Sequence, residues 1–140
     1  MAIRKAKNIL IFLTVILTLV TSCAFAGTAG IYESLIFEQA SIILSNSMAA
    51  YFDAGANANC ASIYVSSCTL EKQSANGKWT EVGPLAPPSK VATNTSDFGA
   101  EKDYSSSCTS GNTYRIRAVF AAVYKGTTYT VSRTSRAVAY

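Results

Sequence analysis

The stretch that decides the fold of this 140-residue chain is SGNTYRIRAVFAAVYKGTTYTVSRTSRAVAY, residues 110–140. Between Tyr114 and Tyr124, apolar residues occupy every second position, which predicts a β-strand with one buried face. Lys125-Gly126 predicts a tight turn, because glycine readily takes the positive φ angle of a short hairpin loop. Residues 127–140, rich in Thr, Val, Ser and Tyr, are typical of a second strand. The C-terminal quarter therefore predicts a long β-hairpin.

Earlier segments predict further short strands and turns. Asn76-Gly77 is a strong hairpin signal, and Gly83-Pro84 ends a strand because proline removes a backbone donor. The small residues AGANAN at positions 54–59 predict a loop. Residues 85–97 predict a polar connection with a short edge strand near Val91. The remaining strands are predicted at residues 41–45, 48–53, 61–73, 78–82 and 101–108.

These six or seven strands predict an all-β domain over residues 41–140, built as an antiparallel two-sheet sandwich. A small barrel is the alternative that the spacing leaves open. Residues 27–40 have no clean period and are interpreted as an N-terminal lead-in, with one or two helical turns at 32–39 or a run into the first strand.

The first 26 residues have the three regions of a secretory signal peptide. Arg4, Lys5 and Lys7 are positive, residues 9–20 are continuously apolar, and Ala24-Phe25-Ala26 is a small-x-small cleavage pattern. A helix over residues 9–20 spans only about 18 Å, too short for a hydrocarbon core of roughly 30 Å. We expect export, with cleavage after Ala26.

A second processing route involves Cys23. Val20-Thr21-Ser22-Cys23 loosely resembles the lipobox of bacterial lipoproteins, in which the cysteine is lipidated, although leucine and a small alanine or glycine are preferred there. Lipidation would anchor the protein at the cell surface. Secretion is the favoured localisation, and the lipid anchor at Cys23 is the alternative.

The positive net charge belongs mostly to this leader. The chain has 12 basic and 8 acidic side chains, a net charge of +4. Without Arg4, Lys5 and Lys7, 9 basic side chains face 8 acidic ones, a net charge of +1. A nearly neutral domain gives no argument for nucleic-acid binding.

Two stretches carry a resemblance to a known group. The first is residues 70–73 with 76–82 (LEKQ, NGKWTEV). The second is Tyr104-Ser105 with residues 111–118 (GNTYRIRA), followed by Lys125-Gly126 and the terminal residues 135–140 (SRAVAY). Together they resemble a group of small exported proteins of Gram-positive anaerobic bacteria whose activities are uncharacterised. The Gly-x-x-Tyr-Arg-Ile-Arg run is also similar to the penultimate strand of fibronectin type III and other immunoglobulin-like domains. The resemblance implies an immunoglobulin-like sandwich and export, and it brings no catalytic or ligand residues.

Three cysteines remain in the exported domain, where a disulfide is permitted. Cys60 and Cys68 would lie about 26 Å apart on one extended strand, so they should not pair with each other. In the immunoglobulin-like layout that the resemblance implies, Cys68 approaches Cys108, and this is the preferred pair. The alternative is that all three stay reduced, with Cys68 packing as a small apolar side chain.

The sequence offers little catalytic chemistry. It contains no histidine, which excludes His-dependent triads and His-bearing zinc sites. Asp97, Glu101 and Asp103 could form a weak calcium loop, but they lack the order of a dedicated one and are interpreted as a solvated acidic loop. We expect a protein that is not an enzyme and holds neither a cofactor nor a metal.

Arginines concentrate near the final hairpin. Arg115, Arg117 and Arg133, with the single tryptophan Trp79, form the candidate binding patch. The alternatives are that the arginines are ordinary sheet surface that discourages edge pairing, and that Trp79 caps the core. We therefore predict a secreted, non-enzymatic interaction module whose partner is an extracellular protein or glycan. The alternative function is a secreted antimicrobial or toxin-like effector.

Overall fold

The structure is a computed structural model that describes residues 35–140. In these residues seven antiparallel strands form one curled sheet, so the predicted all-β class is confirmed. The predicted signal peptide, the cleavage site after Ala26 and Cys23 lie outside the described residues. No helix of the described part is long and apolar enough to cross a membrane.

The strands are β1 Phe37–Leu44, β2 Ala49–Gln73, β3 Trp79–Leu85, β4 Val91–Asp103, β5 Thr113–Tyr124, β6 Thr127–Thr134 and β7 Val138–Ala139.

The 25-residue strand β2 organises the sheet, because four other strands pair with it. Its first part lies between β1 and the second half of β4. Its second part pairs with β5 on one side, and with β3 and the first half of β4 on the other. β6 and β7 pair with β5. Both halves of the domain are thus joined through β2.

The core lies on the inner face of the curled sheet. Phe120 on β5 contacts Phe52 on β2 and Phe98 on β4 edge-on, with ring centroids 6.3 and 6.4 Å apart. This is the preferred geometry of aromatic pairs. Since Phe52 lies in the first half of β2 and Phe120 pairs with the second half, their contact packs the two halves together.

The predicted C-terminal hairpin is confirmed in its main features. Lys125 and Gly126 join β5 to β6 with φ angles of 49° and 77°, as a two-residue hairpin turn requires. The inward row of β5 is buried as predicted. Its buried members are Tyr114, Ile116, Ala118, Phe120 and Ala122.

The second strand of this hairpin is shorter than predicted, since β6 ends at Thr134. The buried Ser135 follows it, and its hydroxyl accepts a hydrogen bond from the Ile116 amide at 3.0 Å. The same hydroxyl donates to the Arg136 carbonyl at 2.9 Å. These bonds turn the chain out of the ladder before it pairs again with β5 as β7.

The predicted loop at residues 54–59 is wrong, because β2 continues through it. Four residues of β2, 56–59, face the single residue Ser96 of β4, which bends β2 at this point. Gly55 is buried here, and a Cβ atom on it would lie 3.1 Å from the Cγ of Gln39. The small residues therefore allow close packing at the bend rather than a turn.

Several other boundaries differ from the prediction. β3 continues through Gly83-Pro84 to Leu85, and β4 begins at Val91 inside the predicted polar connection. β1 begins at Phe37, inside the segment interpreted as a lead-in. The predicted strand at 101–108 ends at Asp103, and residues 105–107 form a 3-10 turn. The Asp103 carboxylate accepts the Ser105 amide at 2.8 Å, and this bond lowers the pKa of Asp103 and starts the turn.

Candidate interaction surface

The structure brings three of the four predicted patch residues together on the outward face of β2, β3 and β5. Trp79 on β3 pairs with Gln73 on β2, two residues from Glu71. Glu71 in turn pairs with Arg115 of β5, and Arg117 lies two residues along the same strand. Because directly paired residues and every second residue share a face, these side chains point the same way. We call Glu71, Trp79, Glu81, Arg115 and Arg117 the Trp79 surface.

Contacts within the Trp79 surface fix its arginines. The guanidinium of Arg115 lies 4.2 Å from the centre of the Trp79 ring, a cation–π contact. Glu71 accepts a hydrogen bond from Arg115 Nε at 2.6 Å and lies 3.5 Å from Arg117 Nε. Arg117 also bonds Glu81 at 3.3 Å. Glu71 therefore holds both arginines.

Sequence reasoning missed Glu71 and Glu81. The only signal for them is that the two carboxylates occupy positions before and after the Asn76-Gly77 turn, where a hairpin places them opposite each other. The two glutamates match the charges of Arg115 and Arg117. The charged side chains of the Trp79 surface therefore cancel in net charge.

Arg133 lies apart from this surface. It pairs with the buried Ala118 and so belongs to the opposite face of the sheet. Its Nε donates to the Ala40 carbonyl of β1 at 3.1 Å. β1 and β6 share no backbone ladder, so this bond bridges the two strand edges.

The structure holds Cys60, Cys68 and Cys108 as free thiols, so it does not contain the predicted Cys68–Cys108 bond. The Tyr104 hydroxyl lies 3.7 Å from the Cys68 sulfur and donates to the Ala86 carbonyl at 2.9 Å. Tyr104 therefore occupies the place beside Cys68, while Cys108 follows the 3-10 turn. Burial raises the pKa of all three thiols and of Tyr104.

The acidic residues of β4 do not converge. Asp97, Glu101 and Asp103 all lie on exposed outward positions of one strand. Among residues 35–140 no group of three or more cysteine and carboxylate side chains could hold a metal ion. The Tyr51 hydroxyl donates a hydrogen bond to Glu101, which raises the pKa of Tyr51. The Glu101 carboxylate is thus paired with a tyrosine and not with the other two acidic residues.

We expect the glutamates of the Trp79 surface to differ in their effect on stability. The Glu71 side chain is only 13% exposed and holds two arginines, whereas that of Glu81 is 59% exposed and holds one. Glu71→Gln should lower the free energy of unfolding by about 1–2 kcal/mol, and Glu81→Gln by less than about 0.5 kcal/mol. Urea unfolding followed by the fluorescence of Trp79 measures both. Equal losses would show that Glu71 has no special role.

We also expect the thiols to differ in reactivity. The thiolate is the reactive form, so a raised pKa slows alkylation of all three, and burial further protects Cys60 and Cys68. Iodoacetamide at pH 8 should label the half-buried Cys108 first, and the other two only after unfolding. Peptide mass spectrometry quantifies the label at each cysteine. A cross-linked Cys68–Cys108 peptide from the untreated protein would contradict this expectation.

No family model, curated protein or solved structure is significantly similar to this chain.

Proposed function

We propose that this protein is a non-enzymatic extracellular interaction module that binds its partner through the Trp79 surface. The observation that carries the proposal is the stack of Arg115 on Trp79 in a partly exposed position on a sheet. Tryptophan and arginine are enriched among the few residues that contribute most of the binding energy in interfaces. They combine a large apolar area with directional donors.

The ordering of the arginines supports this assignment. The Arg115 side chain is 31% exposed and that of Arg117 is 46% exposed, so both can meet a partner. Their contacts with Glu71 already restrict their rotamers, which reduces the entropy lost on binding. A partner would meet donors and acceptors side by side. This mixture suits a polar protein surface or an uncharged glycan better than a polyanion.

The proposed location is extracellular. It is supported by the signal-peptide pattern of the first 26 residues. The alternative is a lipid anchor on Cys23.

These two routes differ in mass, which gives a direct test. We expect protein recovered from the culture medium to begin at Gly27, because signal peptidase recognises the small residues Ala24 and Ala26. Intact-mass spectrometry measures the N-terminus. Material found only in the membrane fraction, beginning at an acylated Cys23, would contradict secretion.

For the finer fold class, we propose an immunoglobulin-like sandwich in which β2 and β4 contribute to both layers. The pairing order supports it, with β1 and the first part of β2 beside the second half of β4 in one layer, and the second part of β2 beside β3, β5, β6 and the first half of β4 in the other. Tyr114 supports it too, since its hydroxyl accepts the Thr109 amide at 3.0 Å. A tyrosine near the start of the penultimate long strand that bonds backbone a few residues upstream is the tyrosine corner of such domains.

The interaction function is tested by a binding screen of the purified protein against glycan arrays and cell-wall and host extracellular polymers. We expect a ligand whose affinity falls at least roughly tenfold in Trp79→Ala and in Arg117→Ala, as for central interface residues. Tyr51→Ala removes an exposed aromatic from the other half of the sheet and should bind normally. Circular dichroism verifies that each variant is folded.

Two outcomes would contradict the proposal. A ligand that binds all three variants equally would place binding elsewhere. Inhibition of bacterial growth by the purified protein, unchanged in Trp79→Ala, would favour the antimicrobial effector.

A further inference from the structure

The β2–β3 hairpin also carries a pocket of about 290 Å³ on its other face. Lys72, Ser74, Thr80 and Val82 line it. Lys72 pairs with Thr80 on one side and with the buried Tyr114 on the other, so it lies on the inner face of the sheet. The pocket and the Trp79 surface therefore lie on opposite faces of the same hairpin.

The pocket exists because the core ends at this hairpin. Leu70 on the inner row of β2 is buried, but Lys72, the next inner residue, is only partly covered. Among the described strands β3 pairs only with β2, and its Thr80 is exposed. The concave side of the hairpin is thus open to solvent.

A β-bulge turns an apolar side chain towards this opening. Leu70 pairs with Gly83 and Glu71 with Glu81, so Val82 has no partner in the ladder. Bulges of this kind redirect a side chain. Val82 remains 54% exposed, so its side chain is accessible from the concave side of the hairpin.

The polar groups of the pocket differ in whether they already have hydrogen-bond partners in the protein. The Ser74 hydroxyl is held within the turn by Asn76 Oδ1 and the Lys78 carbonyl, at 2.5 and 2.9 Å. Lys72 and the Thr80 hydroxyl form no side-chain hydrogen bond or ion pair within residues 35–140. In the described part of the chain no acidic residue lines the pocket. A positive charge and a free hydroxyl donor therefore lie beside an exposed aliphatic side chain.

We propose that this pocket binds a small carboxylate with a short aliphatic chain. The Lys72 ammonium and the Thr80 hydroxyl bind the carboxylate, and the chain packs on Val82. The volume, at the lower limit of roughly 300 Å³ for ligand pockets, restricts the ligand to a small molecule. The proposal is independent of the Trp79 surface, because the two sites share no residue.

Three probes distinguish the contribution of the carboxylate from that of the aliphatic chain. Hexanoate has both, acetate lacks the chain, and 1-hexanol lacks the charge. We expect hexanoate to shift the backbone amide resonances of the four lining residues in ¹⁵N-labelled protein, in a saturable way. Acetate, which loses the buried chain, and 1-hexanol, which loses the hydrogen bonds to a charged group, should each bind at least roughly tenfold more weakly than hexanoate. Each of these contributions is expected to change the affinity by about a factor of ten.

Matched variants assign the roles. Lys72→Gln should weaken hexanoate binding roughly tenfold, whereas Lys78→Gln, the same change in the turn outside the pocket, should leave it unchanged. Val82→Thr keeps the side-chain shape and should weaken hexanoate but not acetate. The proposal is overturned if hexanoate shifts no amide of the pocket, if its shifts do not saturate, or if Lys72→Gln and Lys78→Gln bind it equally.

Discussion

The contact between Phe52 and Phe120 is the interaction on which the rest of the structure depends. The two rings lie on opposite halves of the curled sheet, and both halves are hydrogen-bonded to β2. They can meet only if β2 bends between them. Residues 56–59, which face only Ser96 of β4, supply that bend, and the buried Gly55 leaves room for the Gln39 side chain beside it. Apolar burial thus selects a curled sheet over a flat one.

The bend also determines which side chains of β5 lie on the outer surface of the sheet. Once the inner row of β5 is buried, its alternate residues must point outward, which places Arg115 and Arg117 on the surface. Two arginines that are two residues apart on one strand face repel each other unless an acidic side chain lies nearby. Glu71 on the paired strand meets both, and Trp79 stacks on the first. The Trp79 surface is therefore a product of strand register as much as of composition.

Period-two patterns and turn residues predicted the all-β class, the hairpin at Lys125-Gly126 and the buried row of β5. They could not predict that AGANAN continues a strand, because small residues suit both a turn and a tightly packed bend. Pairing between distant strands is also not encoded locally. Strand register, which only the packed core determines, decides three features of the sites. These are the contact of Glu71 with two arginines, the separation of Arg133 from them, and the position of Tyr104 beside Cys68.

One bulge sets the positions of both candidate sites. A shift of one residue moves every side chain of a strand to the opposite face. On β3 the bulge at Val82 separates two registers: before it Trp79 and Glu81 point outward to the arginines, and after it Gly83 lies against Leu70. If β3 instead kept the regular register set by Gly83 and Leu70, Glu81 would pair with Lys72 and turn inward, away from Arg117. The bulge therefore keeps Glu81 in the Trp79 surface, and its unpaired residue Val82 is the apolar wall of the pocket on the other face.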